Sequence, residues 1–363
     1  MALPFLTLYF TRELHWPAQR AAAIVTLYGA VAFLVAPIAG RLCDRWGTRR
    51  LMGATLTASG LIMLVFPLAR GFGSVALLTV AWALAGESFR PANMTAITES
   101  APPEQRKQAY ALHRAAINLG MSAGPAIGGF LATASFSMIW IVDGATTLMA
   151  AGVLAAFLDE ARPAPGAGGS AAPSARALSD PKLLSCLLGC VLISLVFFQH
   201  ESALPLHLVG GLGLRPSFYG LLFTVNTGLI VALEIPLNHA TARWSHRRTM
   251  AVGAALFAVG FGGYGLCREA WHVVAATVVW TFGEMILMPG MSNYIGSIAP
   301  ADRRGEYMGL YLTAFGLGFM LGPLAGVSLL ERAGPGALWA AAFAIGAAAT
   351  AVFASVDHGA EVR

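Results

Sequence analysis

Charged side chains are scarce. Lys, Arg, Asp and Glu make up 11% of the 363 residues, against about 25% in a soluble domain. With 57% hydrophobic residues and a mean hydropathy of +0.67, the chain needs lipid as its solvent. Cysteine is sparse as well: Cys43, Cys186, Cys190 and Cys267 include no CxxC pair. Cys186 and Cys190 share a helix face at i, i+4, but no His or carboxylate joins them, so small apolar filler is a better reading than a metal site. The histidines are scattered, and no P-loop, G-x-S-x-G or H-E-x-x-H occurs. These absences exclude an ATP-driven pump made by this chain alone and leave no constellation for an enzyme. No metal and no cofactor are expected. The pI near 9.2 does not signal nucleic acid, because the basic residues sit in short loops between apolar runs and form no patch.

Apolar runs are what the sequence has in quantity. Eleven are long enough to cross a bilayer, covering about 21–42, 51–69, 74–96, 108–133, 137–157, 183–208, 216–237, 249–266, 271–294, 307–330 and 336–355. Each must close its own backbone hydrogen bonds inside lipid, so each is expected to be a helix. The alternating segments of a β-barrel are absent. One set of loops carries sixteen Lys and Arg residues and the other six, with Arg90 alone well inside a run. That imbalance puts the richer side, and both termini of the full-length protein, in the cytoplasm of an inner-membrane protein.

The chain is also written twice at an offset of 198 residues. Arg45-Trp46 and Arg49-Arg50 return as Arg243-Trp244 and Arg247-Arg248, and Pro91 returns as Pro289. The run Gly120, Gly124-Pro125, Gly128 returns as Gly318, Gly322-Pro323, Gly326. Such a period is too long for a solenoid and matches a duplicated half-protein. The offset contains six spans, an even number, so the halves are expected to be parallel repeats. The implied organisation is an N-terminal six-helix half at 1–158, an Ala/Pro/Gly/Ser-rich cytoplasmic linker at 159–182 and a C-terminal six-helix half at 183–363. The first span is expected to lack its front. Met1 to Thr11 covers only about 17 Å of a hydrocarbon core of about 30 Å, whereas the matching seventh span starts about twenty residues before Pro205.

The loop after the second span reads Gly40-Arg41-Leu42-Cys43-Asp44-Arg45-Trp46-Gly47-Thr48-Arg49-Arg50. This run resembles the cytoplasmic G-x-L-x-D-R-x-G-x-R-R signature of the major facilitator superfamily. Asp44 can accept hydrogen bonds from a helix N-terminus or pair with Arg. It is therefore the expected gate residue, latching the second and eleventh spans on the cytoplasmic side. The second copy has Asn238, Ala242 and Ser245 in place of Gly40, Asp44 and Gly47, so it has lost the acid. Gly120 to Gly129 further resembles the G-x-x-x-G-P-x-x-G-G motif of proton-coupled drug exporters. Glycines at i, i+4 and i+8 also make a smooth packing face and Pro125 permits a kink, so packing alone remains an alternative. Phe89-Arg90-Pro91-Ala92, Pro102-Pro103-Glu104-Gln105-Arg106, Pro205, Tyr219-Gly220-Leu221-Leu222 and Asn226 extend the likeness to the twelve-span bacterial drug:proton antiporter branch.

Ionisable residues within spans are costly and are functional candidates. Glu284 and Glu87 come first as proton-coupling residues, then Glu201, then Glu234. Glu87 has Arg90 at i+3, which could neutralise it. Glu284 has no basic residue within one turn. Glu201 follows His200, a structural pair on the bland reading, and Glu234 lies near a span end. Asn118 and Asn226 are expected to bond between helices. Arg90, Asn118, Asn226, Gly120, Gly124, Pro125, Gly128, Gly322 and Pro323 are the candidate cavity and packing residues. The aromatic residues show no cage-like cluster along the sequence. The resemblance implies a monomeric, multi-pass secondary transporter working by alternating access. Its expected partners are a small amphipathic or drug-like molecule bound near the midplane between the halves, H+ and the lipid bilayer. The alternatives are an importer or facilitator of a metabolite, or a non-transporting sensor or scaffold.

Overall fold

The computed structural model describes residues 1–100, 106–157, 179–300 and 304–356. The stretch Pro102 to Gln105 and most of the expected linker lie outside them. The chain divides into two compact units, Met1–Gly169 and Ser170–Arg363. Among the described residues both are helical throughout. The first begins with a 3-10 turn at Leu3–Phe5, a short α1 at Leu6–Leu8 and a π turn at Tyr9–Glu13. Then follow α2 (Ala18–Trp46), α3 (Thr48–Val65), α4 (Phe72–Ser100), α5 (Arg106–Ala134) and α6 (Phe136–Phe157). Within this unit α4 packs on α2 and α3, and α3 on α6.

The second unit holds α7 (Pro181–Phe197), α8 (Ala203–Leu206), α9 (Pro216–Thr241), α10 (His246–Gly263), α11 (Ala270–Ile298) and α12 (Arg304–Ala354). Asp180 starts it: its carboxylate accepts from the Lys182 N–H at 2.9 Å, and Pro181 takes the first-turn position where its missing N–H costs nothing. Nine described stretches are long and apolar enough to cross a membrane; the glycine-rich α5 is not among them. The last stretch, Glu306–Ala354, holds two spans. Gly334 at φ 81 breaks α12 there, a left-handed position that glycine adopts without steric cost. Counted as two arms, α12 brings the long helices to the eleven expected spans.

Helix boundaries repeat at the same offset as the motifs. α3 and its 3-10 extension Phe66–Leu68 return as α10 and Tyr264–Leu266, and α4 returns as α11. The π turn at Tyr9–Glu13 returns at His207–Gly211, down to its hydrogen bonds. Leu14 N–H donates to Tyr9 O at 3.2 Å and Trp16 N–H to Phe10 O at 2.9 Å, as Leu212 does to His207 and Leu214 to Leu208. Gly334 stands where Phe136 begins α6.

Two expectations need correction. The seventh span is not one helix. α7 stops at Phe197, a 3-10 turn runs Phe198–His200, and α8 and a π turn complete the crossing. An interrupted span survives at membrane depth only where side chains and neighbouring helices re-satisfy the freed backbone groups, and Gln199 does so here. Its Nδ-equivalent amide nitrogen, Nε2, donates to Leu195 O at 2.8 Å and to Gly322 O at 2.9 Å. The aromatic residues, in turn, are not dispersed. In the first unit Phe66 stacks on Trp140 at 3.8 Å, with Tyr9 and Trp82 edge-on to Trp140. In the second, Phe197, Phe257, Phe261 and His200 gather around Trp280. Sequence spacing shows which residues share a helix face but not which faces meet, so the clustering was invisible there.

Candidate functional site

Each unit holds a carboxylate on one of two repeat-related helices, α4 and α11, met by a donor from another repeat-related pair, α2 and α9. In the second unit α11 presents Thr281 and Glu284 at i, i+3, hence on one face. α9 presents Asn226 against them. Asn226 Nδ2 donates to Glu284 Oε2 at 2.8 Å and to Thr281 Oγ1 at 3.0 Å, and Thr281 passes its own proton to Thr277 O at 2.7 Å. Asn226 and Thr281 are buried. Among the described residues Glu284 has no ion-pair partner, and the donor that meets it is the neutral amide of Asn226.

In the first unit Tyr28 on α2 donates to Glu87 Oε1 at 3.0 Å. Glu87 Oε2 lies 3.3 Å from Arg90 Nε, one turn further along α4. Tyr28 and Asn226 are repeat equivalents at the 198-residue offset, and Glu87 and Glu284 differ from it by one. The two halves thus carry the same arrangement with different chemistry. Glu87 and Arg90 form an ion pair, and Asn226 bonds from α9 to α11. Asn118 is half-buried on α5 and joins neither group.

Glu201 is held elsewhere. Its Oε1 lies 3.6 Å from His200 Nε2, and His200 Nδ1 lies 2.6 Å from Phe197 O. Tyr219 donates to His200 O at 2.9 Å, so this pair is tied into the interruption after α7. Glu234 is half-buried about two turns before the end of α9, and its backbone oxygen accepts from Asn238 Nδ2 at 2.9 Å.

The gate motif has a clear backbone logic. Gly47 closes α2 and opens α3 at φ 84; its N–H donates to Cys43 O and its carbonyl accepts from Leu51. Ser245 replaces it in the second half with φ −64, and its hydroxyl caps α10 by accepting from the Arg248 N–H at 3.3 Å. Arg49 Nη2 donates to Ala155 O at 2.7 Å, near the C-terminal end of α6, where the helix dipole favours a cation. Sequence reasoning missed that tie. Cys43, Leu51, Met52, Ala92 and Ala96 pack beneath it. Arg45 and Arg50 are exposed. Gly40 and the side chain of Asp44 lie outside the described residues.

The paired glycine runs serve packing in both units. A methyl at Gly124 or Gly128 would meet Met1 or Phe5, and one at Gly318, Gly322 or Gly326 would meet Ser194, Leu195 or Gln199. Pro125 and Pro323 are buried beside them, whereas Gly120 faces open space. The runs therefore seat the first and seventh spans and carry no information about cargo.

Comparison with known proteins agrees with this architecture. The family model described as Major Facilitator Superfamily matches residues 1–215 and 200–356. A Na(+), Li(+), K(+)/H(+) antiporter of Planococcus maritimus is 24% identical, the match covering 89% of this chain and 84% of that one. Quinolone resistance protein NorA of Staphylococcus aureus (strain MSSA476) is 21% identical, covering 91% and 86%. The crystal structure of nucleoside transporter NupG superposes with a TM-score of 0.80 at 12% identity, covering 97% of this chain and 93% of that one. Two units built on one repeat, the apolar helices and this family match together define a multi-pass membrane transporter: the chain belongs to the major facilitator superfamily.

Proposed function

We propose that this carrier is a proton-coupled exporter of a small amphipathic molecule, working by alternating access in the inner membrane with its termini in the cytoplasm. Glu284 is the proton-coupling residue. The observation that carries the reading is its setting: an intramembrane carboxylate held by Asn226 and, among the described residues, by no cation, so that gaining a proton removes a charge that none of them balances. Protonated, Glu284 loses the charge that Asn226 recognises and the bond weakens; deprotonated, it regains a charge-assisted bond about twice as strong as a neutral one. That exchange ties proton occupancy to the packing of α9 against α11, which is the kind of differential contact a two-state carrier needs. The relatives named as a cation/H+ antiporter and as a quinolone resistance protein support exchange and export. Asp44 is the gate residue, as the complete motif in the first half and Ala242 in the second suggest.

The test is transport in proteoliposomes under an imposed pH gradient. Glu284→Gln should keep binding of a fluorescent zwitterionic quinolone such as norfloxacin and lose acceleration of its transport by the gradient. Unchanged gradient dependence in Glu284→Gln would overturn the assignment.

A further inference from the structure

Arg20, Arg49 and Arg50 stand within three residues of the start of their apolar stretches, whereas Arg90 lies further in, within the stretch Phe72–Met94, and its side chain is 78% exposed. Glu87 beside it is only 15% exposed. An arginine opened to hydrocarbon at this depth is strongly disfavoured, so an exposed one belongs against water or a polar ligand. Snorkelling does not resolve it. Long side chains on a helix lean toward its N-terminus, and Arg90 does so, reaching back one turn to Glu87. The guanidinium therefore leans away from the nearer, Arg-rich end of α4 and deeper into the membrane.

Glu87 does not use up the guanidinium. The closest approach is Nε to Oε2 at 3.3 Å, and the other carboxylate oxygen is taken by Tyr28 at 3.0 Å. No other described residue bonds to Arg90. Tyr28, itself buried, fixes Glu87, and Glu87 fixes the inner edge of Arg90. The outer edge, with its parallel N–H groups, is left aimed at open space. That edge matches two oxygens of one oxyanion, which a lysine or an amide cannot do. The repeat equivalent in the second half is Met288, so the duplicated partner offers no such edge.

We propose that Arg90 is an oxyanion-binding residue, held in place by Glu87 and Tyr28, and that the cargo carries a carboxylate or a phosphate monoester. The inference rests on the carrier reading, but not on which residue carries the proton. It narrows an amphipathic cargo to an acid or a zwitterion, and sets a lipophilic cation without an acidic group apart as a poor ligand.

The test is binding at fixed pH with no gradient, so that it stands separately from proton coupling. Full-length protein in phospholipid-free detergent is titrated with 1-naphthoate, glycerol 3-phosphate and tetraphenylphosphonium, following thermal shift and tryptophan fluorescence. At least one of the two oxyanions should stabilise the wild type, and the difference between them tells carboxylate from phosphate. Arg90→Gln should weaken that binding by about tenfold or more, as loss of a bidentate charged contact requires. Arg90→Lys should fall between the two, because it keeps the charge and loses the fork. If Arg90→Gln fails to fold, the charge-balanced Glu87→Gln/Arg90→Gln double variant carries the same expectation. Three results would overturn the proposal: neither oxyanion stabilises the protein, the variants bind like wild type, or stabilisation appears only in phosphatidylglycerol nanodiscs, which would mark a lipid headgroup as the occupant.

Discussion

Tyr28–Glu87–Arg90 in the first unit and Asn226–Glu284–Thr281 in the second occupy matching places in a duplicated framework, yet they differ in the one property that decides what a carboxylate can do. Glu87 faces a cation, so its negative charge is balanced and keeping it costs little. Among the described residues Glu284 accepts from the amide of Asn226, whose other acceptor is Thr281, and meets no cation. The substitutions behind the difference are few: Tyr28 against Asn226, Ala83 against Thr281, Arg90 against Met288, and a one-residue shift of the acid itself, with Gly86-Glu87 against Glu284-Met285. Duplication supplied the framework twice; under the proposed function these exchanges leave a paired charge in one copy and the proton-coupling carboxylate in the other.

That division can be broken deliberately. Met288→Arg places a guanidinium one turn beyond Glu284, as Arg90 stands beyond Glu87. A charge-assisted contact contributes about 1.5–3 kcal/mol, so gradient-driven exchange should fall by about one to two powers of ten. Proteoliposome flux with and without a pH gradient measures it; unaltered flux would mean that the cation is not what separates the two copies.

A comparable but smaller loss is expected at the gate, where the halves also differ. Asp44→Asn removes the acid that the second copy replaces with Ala242. Transport should slow by about tenfold, the lower end of the same range, with expression intact. Ala242→Asp in the same background should not restore it, since Ser245 builds its turn by side-chain capping rather than through a positive φ. Initial uptake rates normalised to protein amount decide the matter.

The smallest effect concerns packing, and it compares the two glycine runs. Gly326→Ala should displace the Gln199 amide from Gly322 O and Leu195 O, at a cost of about 1–3 kcal/mol, and lower the melting temperature. Gly120→Ala, with nothing near its Cβ position, should leave melting almost unchanged. Equal shifts in the two would remove Gln199 from its role in supporting the interrupted seventh span.

Much of this molecule was legible before any coordinates. The 198-residue offset forecast element boundaries because duplication copies helix lengths, and α3, α4 and their counterparts obey it residue for residue. Lipid forces apolar runs into helices, so the spans could be read directly. What stayed hidden depended on which helix faces meet. The tie of Arg49 to Ala155 O, the aromatic nests around Trp140 and Trp280 and the interruption at Phe198–His200 leave no periodic trace. Asn226 and Glu284 are separated by 58 residues, and their bond could have been anticipated only by mapping Tyr28 onto Asn226 and asking why both sit opposite an acid. Arg90 was visible as an intramembrane charge, but its open outer edge was not.

The most direct test of the account follows carboxyl protonation itself. Difference infrared spectroscopy on the protein in lipid, stepped between neutral and acidic pH, reports the C=O stretch of a carboxylic acid as it forms. Wild type and Glu87→Gln should share a protonated-carboxyl component that appears on acidification above the background of the other Asp and Glu side chains, and Glu284→Gln should lack that component. A band that survives in Glu284→Gln and disappears in Glu87→Gln would contradict the division between the two halves.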